Sequence, residues 1–349
     1  MAFPEFVGGK KGILFFSRGR GRGHAIPDLE IVREILKQRD DVDIRFVSYG
    51  TGARTIEEFG FPLIDLGLPD LNPITETTVL AGKLIGWLDP DLVVSHEEFP
   101  ALPAAKIFDK PTIFLTDFFV EPEKYSMQTL KFADEVLYLD DAADFDEPPW
   151  LSGKVRYVGP VLRRFEYGRE DRGRAREELS IPAEGTVIAV LPGSWTEERA
   201  PIADLVLEAY DSLPGEAKRL IWIAGEEVEL LREKTRGRDD VILRDRDWRI
   251  DRIMVAGDVA ITKANRVTAL ELTTLGIPSV ALCPGINEVD EARVERMEGV
   301  STLHPDEATP QRLAATLSGL LAQQSFDITP RSGSAASDVA SRISAAVDK

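Results

Sequence analysis

Short apolar runs, each too brief for a helix and each followed by an amphipathic or polar stretch, recur along this chain in two series. The first comprises residues 13–16 (Ile-Leu-Phe-Phe), 43–48, 61–66, 92–95, 112–116, 135–139 and 155–158. Between them, 27–36 places Leu29, Val32 and Leu36 on one helical face, 53–59 reads as a helix closed by Gly60, and 100–108 reads as another. The second series comprises 186–191, 219–224, 241–243, 259–261 and 279–282. Buried strands alternating with helices predict parallel sheets, and hence an α/β protein. A chain of 349 residues is expected to hold two such domains.

The expected division is an N-terminal Rossmann-like domain over 1–160, a connector over 161–180 and a second Rossmann-like domain over 181–330. The connector contains a charged, helix-forming stretch at 163–178. Residues 331–349 are expected to close the chain as a helical tail, because Val339, Ile343 and Val347 recur every four residues. No repeat at solenoid spacing is visible.

Composition narrows the function classes. The net charge of −18 argues against nucleic acid and against anionic membrane surfaces, both of which select basic patches. No basic, apolar docking patch is evident along the sequence. No run is long enough to span a bilayer, so stable membrane insertion is not expected. Residues 1–5 lack the charged start of a signal peptide, and a cytoplasmic location is expected. The lone cysteine, Cys283, excludes an internal disulfide and a thiol metal cluster, and its apolar surroundings read as those of a small core residue. Asp-x-Asp triplets at Asp89, Asp144 and Asp245 are expected by chance among 60 acidic residues, and no metal is assigned. The sequence leaves the oligomeric state open, a homo-oligomer included.

In open α/β sheets, ligands bind beyond the carboxyl ends of the strands. The first strand runs into Ser17-Arg18-Gly19-Arg20-Gly21-Arg22-Gly23-His24. Glycines permit positive φ and close ligand approach. The spacing fails the dinucleotide fingerprint, since the expected third glycine is His24 and the second strand ends in Ser48-Tyr49 without an acid. His24 precedes a helix with Pro27 in its first turn. A helix N-terminus disfavours the protonated imidazole, so a general base is expected at His24 beside the loop residues Gly21, Arg22 and Gly23. The interleaved arginines read equally well as an anion site or as solvated loop charges.

The second domain offers three polar strand tips. After 259–261 come Thr262-Lys263-Ala264-Asn265-Arg266-Val267-Thr268-Ala269-Leu270-Glu271, the start of a helix suited to phosphate. Lys263, Asn265, Arg266 and Thr268 lie at its positive end. Glu271 reads either as a ribose ligand or as an ordinary exposed helix acid. After 186–191, Gly193 and Ser194 can meet a phosphate or base, and Trp195 either stacks on it or is buried. After 279–282 comes Pro284-Gly285-Ile286-Asn287-Glu288.

Together these segments resemble the GT-B glycosyltransferases, in particular the MurG-type family that transfers N-acetylglucosamine from a UDP-sugar. Gly21-Arg22-Gly23-His24-Ala25-Ile26-Pro27 is similar to the family's glycine loop, and Gly159-Pro160-Val161-Leu162-Arg163 to its interdomain segment. Leu191-Pro192-Gly193-Ser194 is similar to its Gly-Gly-Ser loop. Thr268-Ala269-Leu270-Glu271-Leu272 with Gly276-Ile277-Pro278 is similar to its donor motif and is the most specific piece. The resemblance implies two Rossmann-like parallel-sheet domains facing across a cleft, whose closure excludes water. It implies an inverting, metal-independent transfer, with UDP-sugar as substrate and no resident cofactor. His24 would be the base, Glu271 would hold the ribose, and Gly193, Ser194, Asn287 and Glu288 would lie in the donor loops. The acceptor is unspecified.

Two segments depart from the family pattern. Ala264-Asn265-Arg266 replaces Ala-Gly-Ala, putting a bulky arginine where a phosphate approaches. Glu288 and Glu291 replace Gln and Asn, and would repel a diphosphate unless they bind sugar hydroxyls or pair with Lys263 and Arg266. The short Gly-x-Gly-His form also resembles nucleotide-sugar hydrolases of the same fold. A hydrolase and a non-catalytic ligand-binding protein are therefore the alternatives to a transferase.

Overall fold

The computed structural model describes residues 5–69, 73–118, 124–140, 147–192, 199–215, 217–225, 228–245, 247, 249–285, 288–323 and 335–348, with the backbone alone at 125, 199–201, 288 and 289. The chain forms two compact units, Met1–Arg164 together with Gly333–Lys349, and Phe165–Ser332.

The first unit is built on strands β1 (Lys11–Ser17), β2 (Val42–Ser48), β3 (Leu63–Asp65), β4 (Leu92–His96), β5 (Thr112–Thr116), β6 (Glu135–Tyr138) and β7 (Val155–Tyr157). They form one parallel sheet in the order β3-β2-β1-β4-β5-β6-β7. Its helices are α1 (Ala25–Gln38), α2 (Gly50–Glu58), α3 (Ile74–Leu88), α4 (Ala101–Ile107) and α5 (Tyr125–Thr129). Alternation along β1 sends Ile13 and Phe15 to one face and Leu14 and Phe16 to the other, all fully buried. A parallel sheet needs cover on both sides. Here α1 covers the first face, and α3 with α4 covers the second.

The second unit holds α6 (Arg172–Glu178), α7 (Arg199–Ser212), α8 (Val228–Lys234), α9 (Ile250–Ala256), α10 (Arg266–Thr274), α11 (Glu288–Glu295) and α12 (Pro310–Ala322). Its strands are β8 (Thr186–Leu191), β9 (Lys218–Ile223), β10 (Val241–Arg244), β11 (Val259–Lys263), β12 (Ser279–Leu282) and β13 (Val300–Leu303). They too are parallel, in the order β10-β9-β8-β11-β12-β13. In each sheet the first strand of the unit lies beside its fourth, where the order reverses. That reversal is the ligand-binding point of doubly wound sheets. The fold class is therefore α/β with two Rossmann-like sheets, as the alternating pattern predicts.

The C-terminal helix α13 (Ala336–Ala346) returns to the first unit and packs on α1. Val339, Ile343 and Val347 are buried in the same core as Ile13 and Phe15. The charged stretch at 163–178 is helical only from Arg172, after a short 3-10 turn at Arg169–Asp171. On α1 the buried face carries Leu29, Val32 and Ile35, while Leu36 is 47% exposed, so the expected stripe is off by one residue at its end.

Helices α3, α5, α7, α8, α9, α11 and α12 and strand β13 are given no position by the sequence reading. Helix α3 carries apolar residues all round: Ala81, Leu84 and Ile85 are buried, whereas Ile74, Val79 and Trp87 are exposed. Strand β13 is short and half polar. Folding also assembles an exposed apolar strip that no local run reveals. Val79 and Trp87 flank Lys83 on α3, and Ile107 and Phe108 end α4, with the Phe108 ring over Gly86. No described helix is long and apolar enough to cross a membrane.

Candidate active site

At the reversal point of the first sheet, the β1 loop and the end of β4 meet. Gly19 is pressed against Tyr49, where an added Cβ would lie 2.4 Å from the Tyr49 carbonyl oxygen. Gly21 has φ +70°, a conformation costly for other residues. A Cβ at Gly23 would meet nothing within 4 Å, so that glycine leaves open space. The loop delivers His24 to the N-cap of α1, with Pro27 in the first turn as expected.

His24 Nε2 lies 2.8 Å from Oε2 of Glu97, the residue that follows β4. Arg18 Nη1 donates to the same oxygen at 3.3 Å. The other oxygen of Glu97 lies 2.9 Å from Thr116 Oγ1. Glu97 takes φ +52°, which for a non-glycine residue marks backbone strain of the kind found at functional sites. Behind this pair, His96 Nδ1 lies 2.6 Å from Asp28 Oδ1, and the His24 and His96 rings meet edge-on at 4.7 Å.

The electrostatics follow from the packing. Burial pushes the Glu97 carboxyl up, but the charge and hydrogen bond of His24, then the charges of His96 and Arg18, outweigh it and hold the pKa at about 2. Burial opposes charge on His96, yet Asp28, then Glu97 and Asp117, raise its pKa. Next in sequence, burial drives the Glu98 carboxyl up to about 7 against the opposing Tyr49 hydrogen bond and Arg18 charge. When the imidazole is neutral, the ionised Glu97 accepts the proton on His24 Nε2 and selects that tautomer. Nδ1 then carries the lone pair, and this atom is buried without a hydrogen-bond partner among the described residues. A base oriented by a buried carboxylate is the arrangement that proton abstraction from a hydroxyl requires.

The expected loop residues Gly21, Arg22 and Gly23 immediately precede His24, and Arg18, earlier in the same loop, donates to Glu97. The sequence reading missed Glu97, His96 and Asp28. The signal was present in His96-Glu97-Glu98, a polar strand tip directly after the apolar run at 92–95.

In the second unit, Lys263 ends β11 and Asn265 caps α10, accepting from Thr268 N at 3.2 Å. The helix starts at Arg266, and the N–H groups of Arg266 and Val267 lie ahead of the first intrahelical bond, from Ala269 N to Asn265 O. Glu271 is 1% exposed, which overturns the reading of an ordinary exposed helix acid. Arg266 is buried as well. Gly193, Ser194, Trp195 and Asn287 lie outside the described residues, as does the side chain of Glu288. Glu291 is buried and accepts from Gly285 N at 2.9 Å. Cys283 is buried as expected, and burial with Glu291, Glu295 and Glu307 nearby pushes its thiol up to about 12. Two clusters of the described residues could hold a metal ion, His24–His96–Glu97 and Cys283–Glu291–His304.

Two parallel sheets in these orders, each with a polar site at its reversal point, define a GT-B fold. In sequence, the chain is similar to MurG-type transferases over most of its length. It is 25% identical over 300 residues to the UDP-N-acetylglucosamine–N-acetylmuramyl-(pentapeptide) pyrophosphoryl-undecaprenol N-acetylglucosamine transferase of Caldanaerobacter subterraneus, covering 77% of this chain and 78% of that one. It is 28% identical over 240 residues to an uncharacterised glycosyltransferase of Methanopyrus kandleri, covering 65% and 67%. The crystal structure of Acinetobacter baumannii MurG matches with a TM-score of 0.66 at 16% identity, over 96% of this chain and 99% of that one. The UDP-GlcNAc-bound 2-epimerase of Neisseria meningitidis matches with a TM-score of 0.63 at 12% identity, over 96% and 99%. No family model matches the chain. The fold is thus shared by transferases and epimerases, whereas these sequence relatives are glycosyltransferases.

Proposed function

We propose that this protein transfers a sugar from a UDP-sugar to an acceptor hydroxyl, with inversion and without a metal or resident cofactor in the chemical step. The observation that carries this reading is the His24–Glu97 pair with its buried, unpartnered Nδ1. His24 Nδ1 takes the acceptor proton as the acceptor oxygen attacks the anomeric carbon. The bond from that carbon to the diphosphate oxygen breaks, and the diphosphate leaves with the electron pair. Attack opposite the leaving group inverts the anomeric centre. Glu97 orients the imidazole and stabilises the imidazolium that forms.

The donor belongs to the second unit in this scheme. The positive end of α10, with Lys263, Asn265, Arg266 and Thr268, stabilises the leaving diphosphate. Glu271 accepts hydrogen bonds from the ribose, and Gly193, Ser194, Asn287 and Glu288 complete the donor site. The sequence relatives support a UDP-sugar, since the Caldanaerobacter transferase is named for one.

The test is turnover of UDP-N-acetylglucosamine and related UDP-sugars with and without a panel of acceptors. Transfer that needs an acceptor, and that His24→Ala lowers by about 10²–10⁴-fold, supports the proposal. Free sugar released without acceptor assigns hydrolysis instead. Nucleotide binding with no turnover assigns a binding protein.

A further inference from the structure

Strands β12 and β13 are neighbours in register, with Leu282 opposite Leu303. The residues that follow each pair are Cys283 and His304, and Cys283 N donates to Leu303 O at 2.9 Å. Helix α11 lies alongside and brings Glu291 to the same spot. One ligand atom each from Cys283, Glu291 and His304 lies within 4.8 Å of the other two. Glu295, one turn beyond Glu291 on α11, holds His304 Nε2 at 2.6 Å. Thus thiol, carboxylate and imidazole converge from the ends of β12 and β13 and from α11, with a second carboxylate on the imidazole.

We propose that Cys283, Glu291 and His304 bind a zinc-class divalent cation at the carboxyl ends of β12 and β13. Thiolate and imidazole together select zinc-like ions over magnesium or calcium, which prefer all-oxygen sites. Metal bonds of about 2.0–2.3 Å put tetrahedral ligand atoms roughly 3.3–3.8 Å apart, so the three donors need to close by about 1 Å. Glu295 supplies the outer carboxylate that orients a metal-bound histidine. The buried Cys283 and Glu291 are 3% and 4% exposed, and Glu295 and Glu307 add further negative charge around the thiol. A cation compensates that crowding, and a coordinating thiol loses its proton to the metal. A lone cysteine excludes a cluster of several thiols, but not a mixed site of this kind. The ion would pin the ends of β12 and β13 to α11, where Glu291 already accepts from Gly285 N. No step of the proposed transfer runs through it.

The test uses the full chain, stripped of metal with a chelator and then titrated with Zn²⁺ or Co²⁺. The expected result is one retained equivalent, a thiolate-to-cobalt charge-transfer band in the near ultraviolet, and a rise in melting temperature with Zn²⁺. Cys283→Ser should abolish the band, and His304→Ala should weaken binding at least tenfold. His304 is partly exposed, so His304→Ala remains informative if Cys283→Ser fails to fold. His24→Ala should leave Zn²⁺ binding intact. Failure to retain metal, absence of the band, binding indifferent to His304→Ala, or binding lost in His24→Ala would each overturn the proposal.

Discussion

His24 and Glu97 are 73 positions apart in sequence and 2.8 Å apart in space, because β1 and β4 are neighbours in the sheet. The role of Glu97 makes a sharp prediction. Glu97→Gln keeps the shape but removes the charge that fixes the imidazole tautomer, and kcat should fall by about 10²–10⁴-fold with donor affinity unchanged. Comparing kcat with nucleotide affinity checks this, and an unchanged kcat removes Glu97 from the mechanism. Glu98 makes a pH prediction. Its pKa rises from 4.5 to about 7 on folding, so the folded state takes up a proton between those values. The stability this gives is full below about pH 4.5 and is lost as pH rises through 7. Glu98→Gln should flatten that decline, which is of the order of 3 kcal/mol. Melting temperatures from pH 4.5 to 8 measure it; parallel curves for the two proteins contradict it. Glu97 behaves oppositely, since its share is present above about 4.5 and is lost as pH falls towards 2.

At the level of elements, α13 is separated in sequence from the rest of the first unit by the whole of the second, yet it packs into the first unit's core. Its apolar residues at four-residue spacing announce a helix, but only the structure shows that Val339 and Ile343 complete the core over β1 and β2. Ile343 is fully buried, so Ile343→Ala should destabilise the first unit by about 2–4 kcal/mol through lost burial and the cavity left behind. Denaturant unfolding of the full chain tests this; a change under 1 kcal/mol would mean that α13 contributes little to that core. Helix α10 shows the complementary case. A helix start within Lys263–Thr268 was legible, but the structure keeps Lys263 in β11, makes Asn265 the N-cap and buries Glu271.

For the whole molecule, two units with separate cores assign the proposed base and the proposed donor site to different units. Binding to the folded state alone raises stability by about 2.7 kcal/mol at a ligand concentration one hundred times Kd. UDP should therefore raise the melting temperature of the chain. His24→Ala should preserve that rise, and Lys263→Ala should reduce it, because only the latter touches the proposed diphosphate site. A UDP effect lost in His24→Ala but kept in Lys263→Ala would reverse the assignment of the two units. The net charge of −18 is no obstacle, since a cationic helix end acts over a few ångströms while the surface charge is screened beyond about 8–10 Å.

The sequence by itself determined the alternating α/β pattern, most strand positions, the loop carrying His24 and a helix start within Lys263–Thr268. Each of these is written in residues close together along the chain: apolar runs, glycines that permit a turn, polar residues at the head of a helix. Tertiary structure decided the partners. Glu97 reaches His24, Asp28 reaches His96, Cys283 reaches His304, and α13 reaches α1 only once the order of strands is set. Helical crossovers carry the chain past intervening strands, so neighbours in a parallel sheet are remote in sequence. Local periodicity reports which face of an element is buried, whereas the residue it meets there is fixed by the packing of the whole sheet.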